Sequence, residues 1–469
     1  MQTHEANFIG KKRAKTPSSK QKNEDNAQKE FEAKKKQFLD KAKKHPLSLK
    51  LGPCKVHPEI SALTFDVKAK FNKARASVLT LPHGEVQTPV YMPVGTKGAM
   101  KGLLSCDLDR MGCKLMLNNT YHLAMDPGDD FLKKHFGFKD QRSAHHYMNW
   151  SHNVLTDSGG FQIVSLSKLS ARSEEGVEFI SHLNPNKKIF LSPEQSMKIQ
   201  NNLGSDIMMA LDDVIPPVCN INEIYDACER SLRWIDRCIE AHANKQSQNL
   251  FGIVQGGIDL KLRKIACDEM SKRQLPGYAI GGMAGGESKA DFWKVVDTCT
   301  DNLPLNKPRY LMGIGYPVDL VICGLLGVDM FDCVFATRTA RFGTAFTNFG
   351  FLKLKSDKNR YDFLPIDPEC QCEVCKSYTR SYFHFTLNRN ARALSLVSFH
   401  NVYYLLHLMK RLRQSIIDNK VNDFCKDFFS KQFQKQFPSW VYFALKKAGV
   451  NVDFIEELGY RDFEYEEDY

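Results

Sequence analysis

Between residues 89 and 334, short apolar or β-branched runs alternate with amphipathic stretches, and this alternation restricts the chain to an architecture of parallel βα units. Eight candidate strands can be read: Pro89 to Val94, Leu115 to Asn118, Asn153 to Thr156, Ile207 to Leu211, Phe251 to Val254, Tyr278 to Ile280, Tyr310 to Gly313 and Met330 to Val334. The stretches between them, such as Tyr225 to His242 and Leu260 to Arg273, place apolar residues at helical spacing. Eight such units predict the α/β class and a TIM-type (β/α)8 barrel. Hydrophobic residues make up 42% of the 469-residue chain and extend from about residue 60 to residue 460, so one barrel with an added subdomain can bury a core over nearly all of it.

The first fifty residues differ. They hold 14 Lys or Arg against 6 Asp or Glu, a net of +8 out of the chain's +11. With little apolar periodicity they read as a disordered or frayed-helical arm, either a solvated tail or a segment that contacts phosphates non-specifically. The basic cluster at 11 to 15 also fits a nuclear-localisation signal. No run of about eighteen apolar residues is present, so no integral membrane contact is expected, and the charged amino terminus has no secretory core. A cytoplasmic protein with reduced thiols is the expectation. The chain divides into a basic, disordered arm (1–55), the barrel (56–365), a metal-binding subdomain (366–415), and carboxyl-terminal helices ending in an acidic tail (416–469).

Polar or glycine-rich clusters follow the strands: Asn119 to His122, Asp157 to Gln162, Asp212-Asp213, Gln255 to Gly257, Gly281 to Gly286, Met312 to Gly315, and Asp332. In a parallel barrel these ends meet on one face, where active sites are built. Paired carboxylates there suit the making and breaking of glycosidic bonds, one attacking the anomeric carbon while another moves protons. A strand-end Asp also serves as a helix cap or salt-bridge partner, and Asp213 stays open between site and support. Neither glycine-rich segment fits a dinucleotide or P-loop pattern, so no nucleotide cofactor is expected.

In order, Thr156-Asp-Ser-Gly-Gly-Phe-Gln162, Phe251-Gly-Ile-Val-Gln-Gly-Gly257, Ala279-Ile-Gly-Gly-Met-Ala-Gly-Gly-Glu287, Tyr310-Leu-Met-Gly-Ile-Gly315 and Asp329-Met-Phe-Asp-Cys-Val334 resemble the signatures of the tRNA-guanine transglycosylases, over roughly residues 60 to 415. The resemblance implies exchange of the wobble guanine of a tRNA with a GUN anticodon for queuine, through a covalent Asp–tRNA intermediate and without ATP. By motif, Asp332 resembles the nucleophile on C1′ and Asp157 the general acid/base. Asp212, Gln255 and the backbone at Gly282 and Met283 resemble the set that reads the purine edge, with Phe161 and Met312 as the faces that sandwich the ring. Arg338 and Arg341 resemble the contacts to flanking nucleotides. Ala336 stands where the family usually has Pro, which is expected to loosen that loop. Gly285 and Val214 resemble the eukaryotic branch, whose pocket admits the bulky arm of queuine.

Cys370, Cys372, Cys375 and His400 form the ligand set of a closed, structural Zn2+ site, with His384 as the fallback ligand. The resemblance further implies a heterodimer with a non-catalytic paralogous barrel, and it allows a peripheral association with the mitochondrial outer membrane. Because the Asp157 and Asp332 signatures are both present, this chain reads as the catalytic member. The alternative is a non-catalytic, tRNA-binding subunit of the same complex.

Overall fold

The computed structural model describes residues 19–44, 49, 61–137, 142–160, 170–180, 188–434 and 436–461. A parallel barrel stands at the centre. Val90–Met92 and Val94–Gly95 are two halves of one strand bent at Pro93; the first pairs with Met330–Asp332 and the second with Leu115–Asn118. Proline lacks the N–H a ladder needs, so the pairing changes partner there, while the Pro93 carbonyl still accepts from Leu117 N at 2.9 Å. Asn153–Thr156, Ile207–Met209, Asn249–Val254, Gly277–Ile280 and Arg309–Leu311 follow in chain order and complete the ring. Several strands stop short of the expected ends. Residues 210–211, 312–313 and 333–334 leave the ladder, because the chain turns there into the connections at the barrel mouth.

Leu115, Leu155, Met209, Phe251, Ile253 and Met330 belong to the core inside the ring, and Leu63, Leu79, Leu81 and Val86 pack into the same cluster. These last four lie in or beside an antiparallel sheet, Thr64–Phe71, Ala74–Leu81 and Gly84–Thr88, which was not anticipated. Its attachment points are residues at the starts of barrel strands. Arg75 makes a paired contact to Asp329 and donates to the carbonyls of Leu305 (2.6 Å) and Lys307 (3.0 Å), while Asp329 also accepts from Arg309 N at 2.8 Å. Asp206 accepts from His83 Nδ1 (2.5 Å), His145 Nε2 (3.1 Å) and Val154 N (2.8 Å). Burial pushes the Asp206 carboxyl up, but the hydrogen bonds and charges of His145 and His83 hold it below the usual carboxylate range. Asn153 donates to Gly84 O, and Asn249 accepts from Ala62 N. The sheet therefore plugs the amino-terminal end of the barrel.

A second antiparallel sheet, Ser170–Arg172, Val177–Ile180 and Lys188–Leu191, is inserted between the third and fourth strands. After the barrel come a hairpin, Thr344–Thr347 and Gly350–Lys353, and a long helix, Ala391–Ile417. Asn390 caps that helix, its side chain accepting from Arg392 N at 2.8 Å. Its Arg413 donates to the carbonyls of Ser77 and Thr88, both at 2.6 Å, and ties the helix to the plug.

The arm departs most from expectation. Ser19–Lys44 is a helix, and Phe38 and Ala42 are buried against the barrel helices, so this part is not a solvated tail. The 11 to 15 cluster and the acidic tail lie outside the described residues. Among the described residues no helix is long and apolar enough to cross a membrane.

Replacing Arg75 with Leu strands the Asp329 carboxylate in the interior. Breaking a buried pair from one side costs about 3–5 kcal/mol, so Arg75→Leu is expected to lose that much in equilibrium denaturation. A loss under about 1 kcal/mol, the range of exposed pairs, would contradict the plug's role.

Candidate active site

Strand register decides which side chains share the mouth. Asn118 pairs with Thr156, Val254 with Ile280, Leu311 with Phe331 and Asp332 with Met92, so the residues at and just past these pairs sit around one rim. Asp157, Gln255, Gly281 and Met312 are each the residue after such a pair.

Asp157 is buried. Its carboxylate accepts from Asn119 Nδ2 (2.5 Å) and Thr120 N (2.8 Å), and its carbonyl accepts from Thr120 Oγ1 (2.5 Å). Among the described residues, half-buried Asp332 takes both of its hydrogen bonds on Oδ1, from the Tyr310 phenol (2.5 Å) and Gly313 N (2.8 Å). Burial pushes its carboxyl above the usual range, while those two donors pull it back. Burial and the charge of Asp332 push the Tyr310 phenol well up, with Asp157 adding to the effect, so the two carboxylates act on the same ring. Sequence reading had noted Asn119 and Thr120 as a strand-end cluster without a role, and it missed Tyr310 as a donor.

Asp212 is buried beside Gln255, whose Nε2 donates to Oδ2 at 2.6 Å; Ser158 Oγ donates to Oδ1 at 3.2 Å. Burial raises its carboxyl to about 6, with the Asp213 charge adding and the two hydrogen bonds opposing. Gly282 has φ +67°, and a Cβ there would stand 2.2 Å from Gln255 Oε1, so only glycine lets this turn close over the amide. Beneath lies the fully buried Arg263, which sequence reading missed inside a helix. Its guanidinium donates to the carbonyls of Gly257, Val254 and Gly281 at 2.8 to 2.9 Å and reaches Met283 Sδ at 3.3 Å. Asp213 pairs with Arg230 and Arg172, and its backbone N–H donates to Ser231 Oγ at 2.9 Å, which makes it a support. A Cβ on Gly285 would meet the Pro217 ring at 2.6 Å, so the loops after the fourth and sixth strands touch at this point.

Met312 is half-buried against the barrel core, and Phe161 lies outside the described residues. Arg338 and Arg341 are exposed on the helix Phe335–Phe342, with no ion pair among the described residues. Ala336 does not loosen a loop: it is buried in the first turn of that helix, and its carbonyl accepts from Asn401 Nδ2 at 3.0 Å.

Farther from the mouth, Cys370, Cys372, Cys375 and His400 bring their ligand atoms within 4.8 Å of one another, so the cluster can bind a metal. His400 Nδ1 stands 3.2 to 3.8 Å from the three sulfurs, and its Nε2 donates to Phe346 O at 2.7 Å, which fixes the tautomer that leaves Nδ1 free to ligate. His384 is not in the cluster; its Nδ1 meets Ser356 O at 3.1 Å. His83, His145 and Asp206 are also within 4.8 Å, but at the plug end, where each imidazole donates to the carboxylate.

A (β/α)8 barrel whose carboxyl-terminal mouth gathers Asp157, Asp212 and Asp332 falls in the class of barrel enzymes with a carboxylate-lined site. A family model described as queuine tRNA-ribosyltransferase matches residues 70–434, and the chain belongs to that family. It is 47% identical over 406 residues to the queuine tRNA-ribosyltransferase catalytic subunit of Schizosaccharomyces pombe, covering 84% of this chain and 98% of that one. The catalytic subunit of Caenorhabditis elegans is 46% identical over 408 residues, 84% of this chain and 100% of its own. The queuine tRNA-ribosyltransferase of Bacillus subtilis is 45% identical over 368 residues, 78% and 95% respectively.

The cluster geometry predicts one firmly held metal ion per chain, countable by elemental analysis. Cys375→Ser is expected to lower both metal content and Tm, and unchanged values for both would contradict metal binding there.

Proposed function

We propose that the chain is a catalytic queuine tRNA-ribosyltransferase that replaces the wobble guanine of a GUN anticodon by queuine. The observation that carries this reading is the meeting of Asp157, Asp212, Gln255 and Asp332 on one rim in a chain of this family. Tyr310 and Gly313 occupy Oδ1 of Asp332 and leave Oδ2 to attack C1′ of the ribose. As the C1′–O bond forms, the C1′–N9 bond breaks, and Asp157 protonates the departing guanine. Asp157 then takes the N9 proton of the incoming base, whose N9 attacks C1′ and releases the Asp332 carboxylate. Asn119 and Thr120 orient Asp157 for both transfers.

Asp212 and Gln255 read the purine edge with the backbone of Gly282 and Met283, while Phe161 and Met312 stack on the ring. The close approach of Gly285 to Pro217 shapes the side of the pocket that meets the queuine arm. Exposed Arg338 and Arg341 are free to contact phosphates and bases beside the extruded guanosine. The Cys3His cluster holds Zn2+, which organises the hairpin and long helix and takes no part in the exchange. A non-catalytic paralogous barrel is the proposed partner. Phe342, Tyr361, Phe363 and Leu364 are exposed in the segment between the barrel and the cluster and offer it an apolar surface.

Incorporation of labelled guanine into a wobble-guanosine tRNA tests the reaction, with the chain alone and with the partner barrel. Loss of a nucleophile costs on the order of 10³-fold or more, so Asp332→Ala is expected to fall by at least that much. No exchange by the wild-type chain with its partner would favour the non-catalytic, tRNA-binding role.

Because Asp212 titrates at about 6 and must be ionised to accept from the base, KM for guanine is expected to rise as pH falls through about 6. The pH dependence of KM is expected to flatten in Asp212→Asn. A KM flat across this range in the wild type would remove Asp212 from base recognition.

A further inference from the structure

The helix Ser19–Lys44 lies ahead of residues 70–434, the part matched by the family model, yet it is docked close to the mouth. Lys35, Phe38 and Ala42 recur at helical spacing on its docked face. Phe38 is 2% and Ala42 8% exposed, and Leu39 and Ala42 face Ile258 and Leu260 across the seam. Those two residues follow Gln255 to Gly257 at the start of the next barrel helix, Leu260–Ser271. Lys35 pairs with Asp291 and donates to Ser288 Oγ at 3.3 Å. The Lys35 and Asp291 side chains are only 16% and 20% exposed, so water screens this pair far less than one on an open surface.

Ser288 is the cap of the helix Lys289–Asn302: its Oγ accepts from Asp291 N at 3.2 Å and donates to the Asp291 carboxylate at 2.6 Å. Directly before it, the Glu287 carboxylate accepts from the N–H groups of Ala284 (2.7 Å) and Gly285 (2.9 Å). The turn from Gly282 to Glu287 thus hangs between two anchors. On the amino side Arg263 holds Gly281 O and Met283 Sδ. On the carboxyl side the Ser288–Asp291 cap is held from outside the barrel by Lys35.

We propose that the amino-terminal helix is a brace for this turn, with Lys35 as its positioning residue, and that it tightens binding of the exchanged base. The proposal rests on the assignment of Gly282 and Met283 to base recognition. A turn already held in its bound shape loses less conformational freedom when a base enters, so the gain falls on base affinity and not on the chemical step. The brace also gives the arm a role distinct from phosphate contact, since Lys35 is engaged inward.

Hydrogen exchange of the full-length chain, followed by mass spectrometry with no substrate added, tests the brace. Amides of residues 282–288 are expected to exchange faster in Lys35→Ala and in Phe38→Asp than in the wild type, with Lys35→Arg restoring protection. In guanine exchange on tRNA with the partner barrel, KM for guanine is expected to rise about five-fold in Lys35→Ala, with kcat and KM for tRNA unchanged. Protection of 282–288 equal in all four proteins would overturn the brace. Faster exchange with an unchanged KM for guanine would leave the brace in place and overturn the assignment of this turn to base binding. A rise confined to KM for tRNA would overturn the inward role of Lys35.

Discussion

Closure of a parallel ladder around Pro93 is the constraint from which the rest of the structure follows. Every strand enters the ring from the same end, so every strand exit falls on the same rim, and side chains from Asp157 to Asp332 are brought together although 175 positions separate them. The pairing of Asp332 with Met92 makes the last strand the neighbour of the first and completes the rim. An open sheet with the same strands would leave Asp332 at an edge, remote from Asp157.

The two ends of the ring are built from similar residues for different ends. At the plug, Asp329 accepts from Arg75 and from Arg309 N, and Asp206 from two histidines and a backbone N–H; donors engage both oxygens of each carboxylate and leave little capacity for a ligand, although burial still holds the Asp329 carboxyl above the usual range. At the mouth the buried carboxylates are only partly compensated. Asp332 has both donors on one oxygen, and Asp212 is pushed up to about 6 beside a second carboxylate. Among the described residues, the plug end thus engages both oxygens of its carboxylates, whereas the mouth leaves one Asp332 oxygen open.

Much of this was legible in the sequence, for identifiable reasons. A βα repeat writes itself as alternating periodicities, and the strand-end clusters mark the rim because the barrel must expose those ends. The Cys-x-Cys-x2-Cys spacing marks a metal cluster, and the structure brings His400 rather than His384 to it. Arg263 was not legible, since a buried arginine that donates to three loop carbonyls looks like any charged residue on a helix. Nor was the inward side of the arm: its composition is that of a solvated tail, and the few apolar residues in it, Phe38, Leu39 and Ala42 among them, are too sparse to mark a buried face. The antiparallel plug was missed because it precedes the βα repeat and its strand Thr64–Phe71 has no apolar run, although the alternation of Phe65, Val67, Ala69 and Phe71 with polar residues was a strand signal. Ala336 shows the converse, where a departure from the family pattern suggested a loose loop, and burial in a helical turn with a hydrogen bond from Asn401 holds it.

The proposed exchange turns on a covalent bond between Asp332 and the ribose. That bond is tested most directly by incubating the chain and the proposed partner barrel with a wobble-guanosine anticodon stem-loop, quenching in denaturant, digesting, and locating the covalently bound RNA by mass spectrometry. An RNA-bearing peptide modified at Asp332 is expected, and no such peptide from Asp332→Asn. An adduct on Asp157, or active base exchange with no adduct on any carboxylate, would contradict it.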